Sequence, residues 1–125
     1  LLIDADHFKS INDQHGHAVG DRVLQALAAL IQRSAREIDV AARIGGEEFA
    51  VLLSDTGATS ALNVAERIRS QIAQSDTMPV TGVTVSIGVA TLAAEESAAS
   101  LQHRADQALY MAKSQGRNRV VLAPG

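Results

Sequence analysis

The stretch Val40–Leu53, with the sequence VAARIGGEEFAVLL, decides the fold. Two short apolar runs, Val40 to Ile44 and Phe49 to Leu53, stand on either side of the pair Gly45-Gly46. Two glycines between short apolar runs predict a β-hairpin, because the primed turns of hairpins require positive φ angles. Glycines in the turn would also let a bulky ligand approach the backbone closely.

Hydrophobic periodicity extends the prediction to both sides of the hairpin. Apolar residues spaced by three and four indicate amphipathic helices, and alternation with a period of two indicates strands. The elements so predicted are the end of a strand at 1–4, a short helical stretch around Phe8 and Ile11, a helix over 21–35, a helix over 62–72, a strand over 83–89, a helix over 101–112 and a strand over 120–122. Gly16 and Gly20 are expected to break the short helical stretch, and Gly116 to end the last helix. This order predicts helices packed on a sheet that holds an antiparallel hairpin, as an α/β or α+β layer.

The bulk composition limits the class of protein. With 125 residues, 46% of them hydrophobic, the chain is long enough for one domain with one ordinary core. Its formal net charge of -3 is unlike that of a basic nucleic-acid module, and no nucleic-acid partner is expected. The chain contains no cysteine, which excludes disulfide and thiolate chemistry and fits a reducing compartment. No apolar run approaches the roughly 20 residues that a membrane span needs.

Three acidic residues stand out in this pattern. Asp4 closes the first strand, and Glu47 and Glu48 lie on the turn of the hairpin. If the two strands are neighbours, the three carboxylates meet at one edge of the sheet. Packed anions raise one another's pKa, whereas a divalent cation between them removes the repulsion. Carboxylate oxygens suit magnesium, which also takes oxygens from a substrate phosphate. The alternative is that these acids are merely solvated.

Gly45-Gly46-Glu47-Glu48-Phe49 resembles the GGDEF/GGEEF signature of diguanylate cyclases. Four further blocks of the chain are similar to motifs of that family and follow in the family's order. They are Asp4–Asp13 (DADHFKSIND), Gly16–Asp21 (GHAVGD), Thr84–Ala90 (TVSIGVA), and Ala105–Lys113 followed by Gly116–Val120. The resemblance therefore spans nearly the whole chain.

The resemblance implies an α+β fold like the palm of nucleotidyl cyclases and polymerases. In this ferredoxin-like arrangement, a central, mainly antiparallel sheet is flanked by helices. The implied reaction is attack of the 3′-hydroxyl of one GTP on the α-phosphate of a second GTP, with pyrophosphate leaving. Two such steps give cyclic di-GMP, a bacterial signalling molecule. Two magnesium ions per active site, or manganese ions in their place, would neutralise phosphate charge and activate the hydroxyl.

By this similarity, Asp4 and Glu47 would be side-chain ligands of the metal ions, and Ala5 would lend its backbone carbonyl. Glu48 would also act at the metal ions or help to deprotonate the attacking hydroxyl. Asp4, Glu47 and Glu48 are therefore the implied catalytic residues. Neighbouring residues of a regular strand face opposite ways, so only the turn could bring both glutamates near the metal ions.

Asn12 and Asp21 would read guanine by the same similarity, and Gly45 and Gly46 would let the nucleotide approach the turn. A carboxylate accepts hydrogen bonds from the N–H donors of guanine, and an amide supplies a complementary contact. Adenine would leave these groups unpaired, which is how a polar site rejects an analogue. The structural alternatives are a turn-forming Asn12 and an Asp21 that stabilises the first turn of a helix.

The resemblance also implies a cradle for the terminal phosphates in the backbone of Phe8 and Lys9. Lys113 and Arg117 would supply positive charge to these phosphates. The alternative for both cations is the general preference for positive charge at the C-terminal end of a helix. Asp6 is expected to be structural, as the N-cap of the short helix that follows it.

Arg36-Glu37-Ile38-Asp39 matches an RxxD pattern that lies just upstream of the signature in many relatives. There it forms an inhibitory site for cyclic di-GMP. Arginine forks bind phosphate and guanine acceptors, and a carboxylate binds guanine donors. Arg67, on the next predicted helix, is expected to be a further arginine of this allosteric product site. The alternative is that Arg36 and Asp39 only bound the helix and the strand.

One such domain binds one GTP, so the resemblance implies a homodimer in which two domains face each other. In the family, upstream sensory or dimerising modules usually arrange this pairing. Leu1-Leu2-Ile3 is an apolar run already in progress, and the family's usual Asp-x-Leu-Thr sequence before the first strand is absent. We therefore expect a single domain, 1–125, that is truncated at its N-terminal side and is weakly active or inactive alone. The expected location is cytoplasmic, including as part of a membrane-anchored parent.

Three other functions stay open on the sequence alone. Some relatives keep the fold, lose the acids and only sense GTP or cyclic di-GMP, which the intact Gly45–Phe49 disfavours. A scaffolding domain without nucleotide is the second alternative. A cyclase that makes other cyclic dinucleotides is the third, and Asn12 with Asp21 favours guanine over it.

Overall fold

The structure is a computed structural model that describes residues 1–125, and it contains five strands and four helices. In chain order they are β1 Leu2–Ala5, α1 Phe8–His15, α2 His17–Ser34, β2 Val40–Gly45, β3 Glu48–Leu52, α3 Ala58–Ala73, β4 Val85–Val89, α4 Ala98–Ser114 and β5 Val120–Leu122. Every element predicted from periodicity is present, with shifted ends. None of the helices is both long enough and apolar enough to span a bilayer.

The five strands form one sheet in the order β2-β3-β1-β4-β5. The central strand β1 pairs antiparallel with β3 on one side and with β4 on the other. β2 and β3 form the antiparallel hairpin, and only β5 runs parallel to its neighbour β4. The predicted α+β fold with a mainly antiparallel sheet is confirmed, and the order β2-β3-β1-β4 is that of a ferredoxin-like split βαβ unit.

One face of the sheet carries the main apolar core. Ile3 lies opposite Phe49 on β3 and opposite Ile87 on β4, and all three side chains are buried. They share one cluster with buried residues of two helices, α2 and α3, namely Val23, Leu24, Leu27, Ile31, Ala65, Ile68 and Ile72. Burial of these side chains is what drives both helices onto this face.

The other face of the sheet is covered by α4. Because side chains alternate along a strand, the neighbours of Ile3, Phe49 and Ile87 in sequence point to this second face. Gly88 lets the helix come close: a methyl group added there would lie 2.2 Å from the carbonyl oxygen of Ala105 and 2.4 Å from the backbone nitrogen of Leu109. The backbone of α4 thus packs directly on β4.

α4 leaves part of this second face uncovered. It packs against β1, β4 and β5, and beside it lies an apolar groove of about 670 Å³ over β2 and β3. The groove is lined by residues that include Leu2, Val40, Ile44, Ala50, Leu52 and Leu101. None of the three predicted acidic site residues lines it, so the acidic site lies outside this groove.

The junction of α1 and α2 differs from the prediction. Gly16 ends α1 with a φ of 87°, as expected of a breaker, but Gly20 is a buried residue inside α2. Because α2 begins at His17, Asp21 is not in its first turn. The predicted break at Gly20 and the predicted helix start at Asp21 are therefore wrong, and so is the reading of Asp21 as a first-turn acid.

Replacing Gly88 by alanine is expected to destabilise the protein, because the new methyl group would overlap the backbone of α4. Overpacking of this kind costs about 1–3 kcal/mol. Urea denaturation of Gly88→Ala should show that loss in the free energy of unfolding. Gly57→Ala is the matched control, since a methyl group there meets no atom within 4 Å. Equal stability of the two variants would contradict the close packing of α4 on β4.

Candidate functional site

The register of the sheet brings the predicted acidic residues to one place. Asp4 on β1 lies directly opposite Glu48 on β3. The backbone N–H of Ala5 donates a hydrogen bond of 3.1 Å to the carbonyl oxygen of Glu47, which ties the hairpin turn to the end of β1. Asp4, Ala5, Glu47 and Glu48 are therefore neighbours at one end of two adjacent strands.

The hairpin turn does not use its glycines as predicted. Gly45 pairs with Glu48, a register shift between Arg43 and Gly45 precedes it, and Gly46 and Glu47 form the loop. Positive φ angles occur at three glycines, Gly16, Gly82 and Gly116, so the expectation of positive φ at Gly45 and Gly46 is wrong. Methyl groups added at Gly45 or Gly46 would meet no protein atom within 4 Å. The turn is thus open on its outer side, where a ligand has room to approach.

Asp4 is a buried carboxylate in a charged environment. Desolvation raises its pKa above the ordinary value of 3.8, and the charges of Glu47 and Asp6 act in the same direction. Lys113 opposes them by donating a hydrogen bond of 2.7 Å from Nζ to Oδ2 of Asp4. Desolvation also raises the pKa of Glu48, and the charge of Asp4 adds to the effect.

The oxygen atoms that these residues offer provide only part of the coordination shell of a magnesium ion. The structure has no cluster of three or more acidic, histidine or cysteine side chains that could hold a metal ion by itself. The three carboxylates therefore lie at one end of the sheet, as predicted. They are not arranged to hold a metal ion by their side chains alone. Two carboxylates and a backbone oxygen suit magnesium when substrate phosphates complete its octahedral shell.

Asp6 has a role that the sequence reasoning missed. Its carboxylate accepts hydrogen bonds from Thr84 Oγ1 at 2.8 Å, Ser86 Oγ at 2.6 Å and the backbone N–H of Asn118 at 3.0 Å. The N-cap of α1 is His7, without any side-chain cap, so the predicted N-cap role of Asp6 is wrong. The available signal was its position two residues after Asp4, just past the end of β1.

The C-terminal end of α4 sets the positions of Lys113 and Arg117, the two predicted phosphate-binding cations. The N–H of Gly116 bonds to the carbonyl of Lys113 and the N–H of Arg117 to the carbonyl of Ala112, which is a Schellman motif. Gly116 takes a φ of 121° there, and Arg117 follows with a φ of 64°. Lys113 then reaches Asp4, while Arg117 makes no side-chain hydrogen bond within the chain. The loop after α4 thus lies beside the acidic residues.

The remaining predicted nucleotide residues lie on α1 and α2. Phe8 and Lys9 form the first turn of α1, where backbone N–H groups lack partners within the helix. Asn12, further along α1, packs against Gly20 of α2, and its Oδ1 is buried without a hydrogen-bond partner. Asp21 is exposed and follows Gly20 directly. These positions are compatible with a nucleotide lying across α1.

The RxxD residues form a closed ion pair. Arg36 donates from Nε and from a terminal nitrogen to the two carboxylate oxygens of Asp39, both at 2.9 Å. It also donates to the carbonyl of Ser54 and to the hydroxyl of Thr56. This pairing lowers the pKa of Asp39 from 3.8 to about 2. Arg67 lies on α3 and donates to the carbonyl of Ser34, the last residue of α2, but makes no hydrogen bond to Arg36 or Asp39. The structural alternative, in which Arg36 and Asp39 bound the helix and the strand, fits this geometry.

Known proteins match this chain over nearly its whole length. The family model described as diguanylate cyclase, GGDEF domain, matches residues 1–119. Diguanylate cyclase A of Treponema denticola is 50% identical and covers 98% of this chain, which spans 34% of that relative. Diguanylate cyclase DgcM of Escherichia coli is 50% identical over 98% of this chain, which spans 30% of it. The chain therefore spans about a third of the curated relatives that it matches.

Solved structures agree with these matches. The coiled coil and GGDEF domain of DgcB from Caulobacter crescentus, in complex with c-di-GMP, has a TM-score of 0.91 at 39% identity over 98% of this chain and 67% of that chain. The active GGEEF domain of a diguanylate cyclase from Vibrio cholerae has a TM-score of 0.90 at 38% identity over 99% of this chain and 81% of that chain. The protein described here is a member of the GGDEF domain family of diguanylate cyclases.

Replacing Lys113 by methionine is expected to raise the pKa of Asp4 further in the metal-free protein, because a stabilising positive charge is lost. A carboxyl group whose pKa is raised by folding destabilises the fold as the pH rises through the interval above 3.8. The variant should therefore lose more stability than the parent between acidic and neutral pH. Carboxyl NMR titration and thermal unfolding at several pH values check both effects. Lys9→Met is the control, since Lys9 does not act on Asp4, and an unchanged Asp4 titration in Lys113→Met would contradict the ion pair.

Proposed function

We propose that this domain is a diguanylate cyclase, which joins two GTP molecules into cyclic di-GMP and releases two pyrophosphates. The observation that carries the proposal is the placement of Asp4 opposite Glu48, beside the bond between Ala5 and Glu47. Oxygen ligands, a nearby cation and an open turn are what a triphosphate and its metal ions require. Membership of the GGDEF family supports the same activity.

Asp4, Glu47 and the carbonyl oxygen of Ala5 are the proposed ligands of two magnesium or manganese ions. Bound metal ions supply positive charge to the phosphates and make the attacking hydroxyl easier to deprotonate. Until nucleotide binds, Lys113 provides the positive charge beside Asp4. Glu48 acts next to these ligands as the acceptor of the 3′-hydroxyl proton. Burial and the charge of Asp4 raise its pKa, which makes its carboxylate a stronger base.

Residues around this centre orient the nucleotide. The backbone of Phe8 and Lys9, at the start of α1, cradles the terminal phosphates, and Lys113 and Arg117 neutralise them. Asn12 and Asp21 read the guanine base from α1 and α2, while Gly45 and Gly46 leave room at the turn. A nucleotide held at both its base and its phosphates presents its α-phosphate in a fixed direction, which lowers the entropic part of the barrier.

Condensation requires two such sites facing each other. Each domain binds one GTP, so the proposed active species is a homodimer in which each hydroxyl attacks the α-phosphate held by the partner. An upstream sensory or dimerising module of the parent protein is the proposed means of bringing the two domains together. Because GTP is a cytoplasmic nucleotide, the proposed location of the domain is the cytoplasm.

Product inhibition is the proposed role of Arg36, Asp39 and Arg67. The guanidinium of Arg36 and the carboxylate of Asp39 have the chemical groups that recognise phosphate and guanine. In the unliganded state the two side chains are hydrogen-bonded to each other, so the product has to replace these hydrogen bonds when it binds. Arg67 is exposed, donates one hydrogen bond to Ser34 at the end of α2, and keeps its other donors free for a phosphate.

Replacing Glu48 by alanine is expected to abolish formation of cyclic di-GMP while the fold survives, because the proton acceptor is lost. Loss of a general base lowers rates by about 100-fold or more. The measurement is chromatography of products from the artificially dimerised domain with GTP and magnesium, next to thermal unfolding. Asp76→Ala, which removes an exposed carboxylate, is the control. Undiminished turnover of Glu48→Ala would remove Glu48 from the mechanism.

Replacing Arg67 by alanine is expected to weaken inhibition by added cyclic di-GMP and to raise product accumulation. Arg36→Ala should do the same, but it also leaves the buried Asp39 without its main partner and should lower the melting temperature. Arg67→Ala leaves that pair intact, so it separates inhibition from stability. Initial rates at low product serve as the internal control and should not change. Unaltered sensitivity of both variants to cyclic di-GMP would exclude the inhibitory site.

A further inference from the structure

Gly20 is a glycine whose backbone does not require one. It lies inside α2 and its φ angle is not positive, so the peptide geometry suits any residue. Glycine is among the least favourable residues in the interior of a helix, where alanine is the best. A buried glycine at such a position therefore needs a packing reason.

The packing reason is the side chain of Asn12. A methyl group at Gly20 would lie 1.8 Å from Oδ1 and 3.0 Å from Cγ of Asn12, and 3.2 Å from Cζ of Phe8. The Asn12 amide thus fills the volume that any larger residue at position 20 would occupy. The contact fixes how far α1 stands from α2.

The protein does not satisfy the hydrogen-bonding groups of the same amide. Its Oδ1 is buried and has no hydrogen-bond partner. Buried polar atoms are nearly always paired, and the reason that Oδ1 is unpaired is its packing against Gly20. The Asn12 side chain as a whole is partly exposed, and its Nδ2 makes no hydrogen bond within the chain and is not buried, so this N–H donor stays available to a base. Asp21 is the residue after Gly20 in α2. The glycine that leaves room for the Asn12 amide and the carboxylate of Asp21 therefore lie in the same helical turn.

We propose that Gly20 is a positioning residue for base selection: it seats the Asn12 amide in a fixed relation to Asp21, and this seat makes the site prefer guanine over adenine. The inference rests on the proposed function, because it deepens the reading of guanine by Asn12 and Asp21. Gly20 itself is not proposed to touch the nucleotide. It acts by leaving empty the space that the amide needs.

The test is equilibrium binding of 3′-deoxy-GTP and 3′-deoxy-ATP with magnesium, since neither analogue has the hydroxyl needed for condensation. In Gly20→Ala, displacement of the amide should weaken binding of the guanine analogue about tenfold, as expected for loss of one base contact. Binding of the adenine analogue should not change. In an Asn12→Ala background the same Gly20→Ala change should no longer weaken the guanine analogue selectively, because the overlap with the amide is gone and the remaining contact with Phe8 does not distinguish the bases.

Two further variants keep the inference falsifiable. Asn12→Gln keeps the amide but is too long for the seat, so it should lose guanine preference even with Gly20 intact. Gly57→Ala, a glycine change without close neighbours, should preserve the preference. The proposed role of Gly20 would be contradicted by guanine preference that is retained in Asn12→Gln, or by equal weakening of both analogues in Gly20→Ala. Absence of binding of either analogue by the parent chain would instead overturn the proposed function, and the seat with it.

Discussion

The pairing of β1 between β3 and β4 is the constraint on which the remainder of the structure depends. Ile3 is fully buried between Phe49 and Ile87, and this apolar row fixes the register of the three strands. Because side chains alternate, the row of Asp4, Glu48 and Ser86 is forced onto the opposite face. A slip of one residue would put Asp4 into the apolar cluster, which its charge forbids. Packing on one face therefore sets the geometry of the acids on the other.

Two aspartates at the end of β1, Asp4 in the strand and Asp6 just after it, have different environments and therefore different chemical properties. Asp6 is buried among three hydrogen-bond donors, which satisfy its charge and join β1 to β4 and to the loop after α4. Asp4 is buried beside other acids and has one cation as its partner, so its ionised form is held at an energetic disadvantage. The three hydrogen bonds of Asp6 fix the end of β1 relative to β4 and to the loop after α4. The environment of Asp4 leaves a carboxylate that gains from a closer positive charge, as expected of a ligand for a divalent ion.

Periodicity predicted the elements because each needs only residues close in sequence. The hairpin around Gly45 and Gly46 and the end of α4 at Gly116 are of this kind. Prediction failed where distant contacts override local preference. The partners of Asp6 lie 78, 80 and 112 residues away, so no local pattern separates them from a simple N-cap. Gly20 follows the rule for helix breakers in sequence, but its packing against α1 keeps it inside a helix. The acids at 4, 47 and 48 could be placed together from the hairpin, but the ion pair between Asp4 and Lys113 could not.

The separation along the chain of the groups that meet at Asp4 and Asp6 has a consequence for biosynthesis. Lys113 joins Asp4 across 109 residues, and Asn118 joins Asp6 across 112. A ribosome releases the N-terminal end first, so a nascent chain exposes β1 and its acids long before the last helix emerges. Until then Asp4 lacks the ammonium group of Lys113, and Asp6 lacks the backbone N–H of Asn118. The two aspartates therefore reach their full set of contacts only after α4 and the loop that follows it have been synthesised.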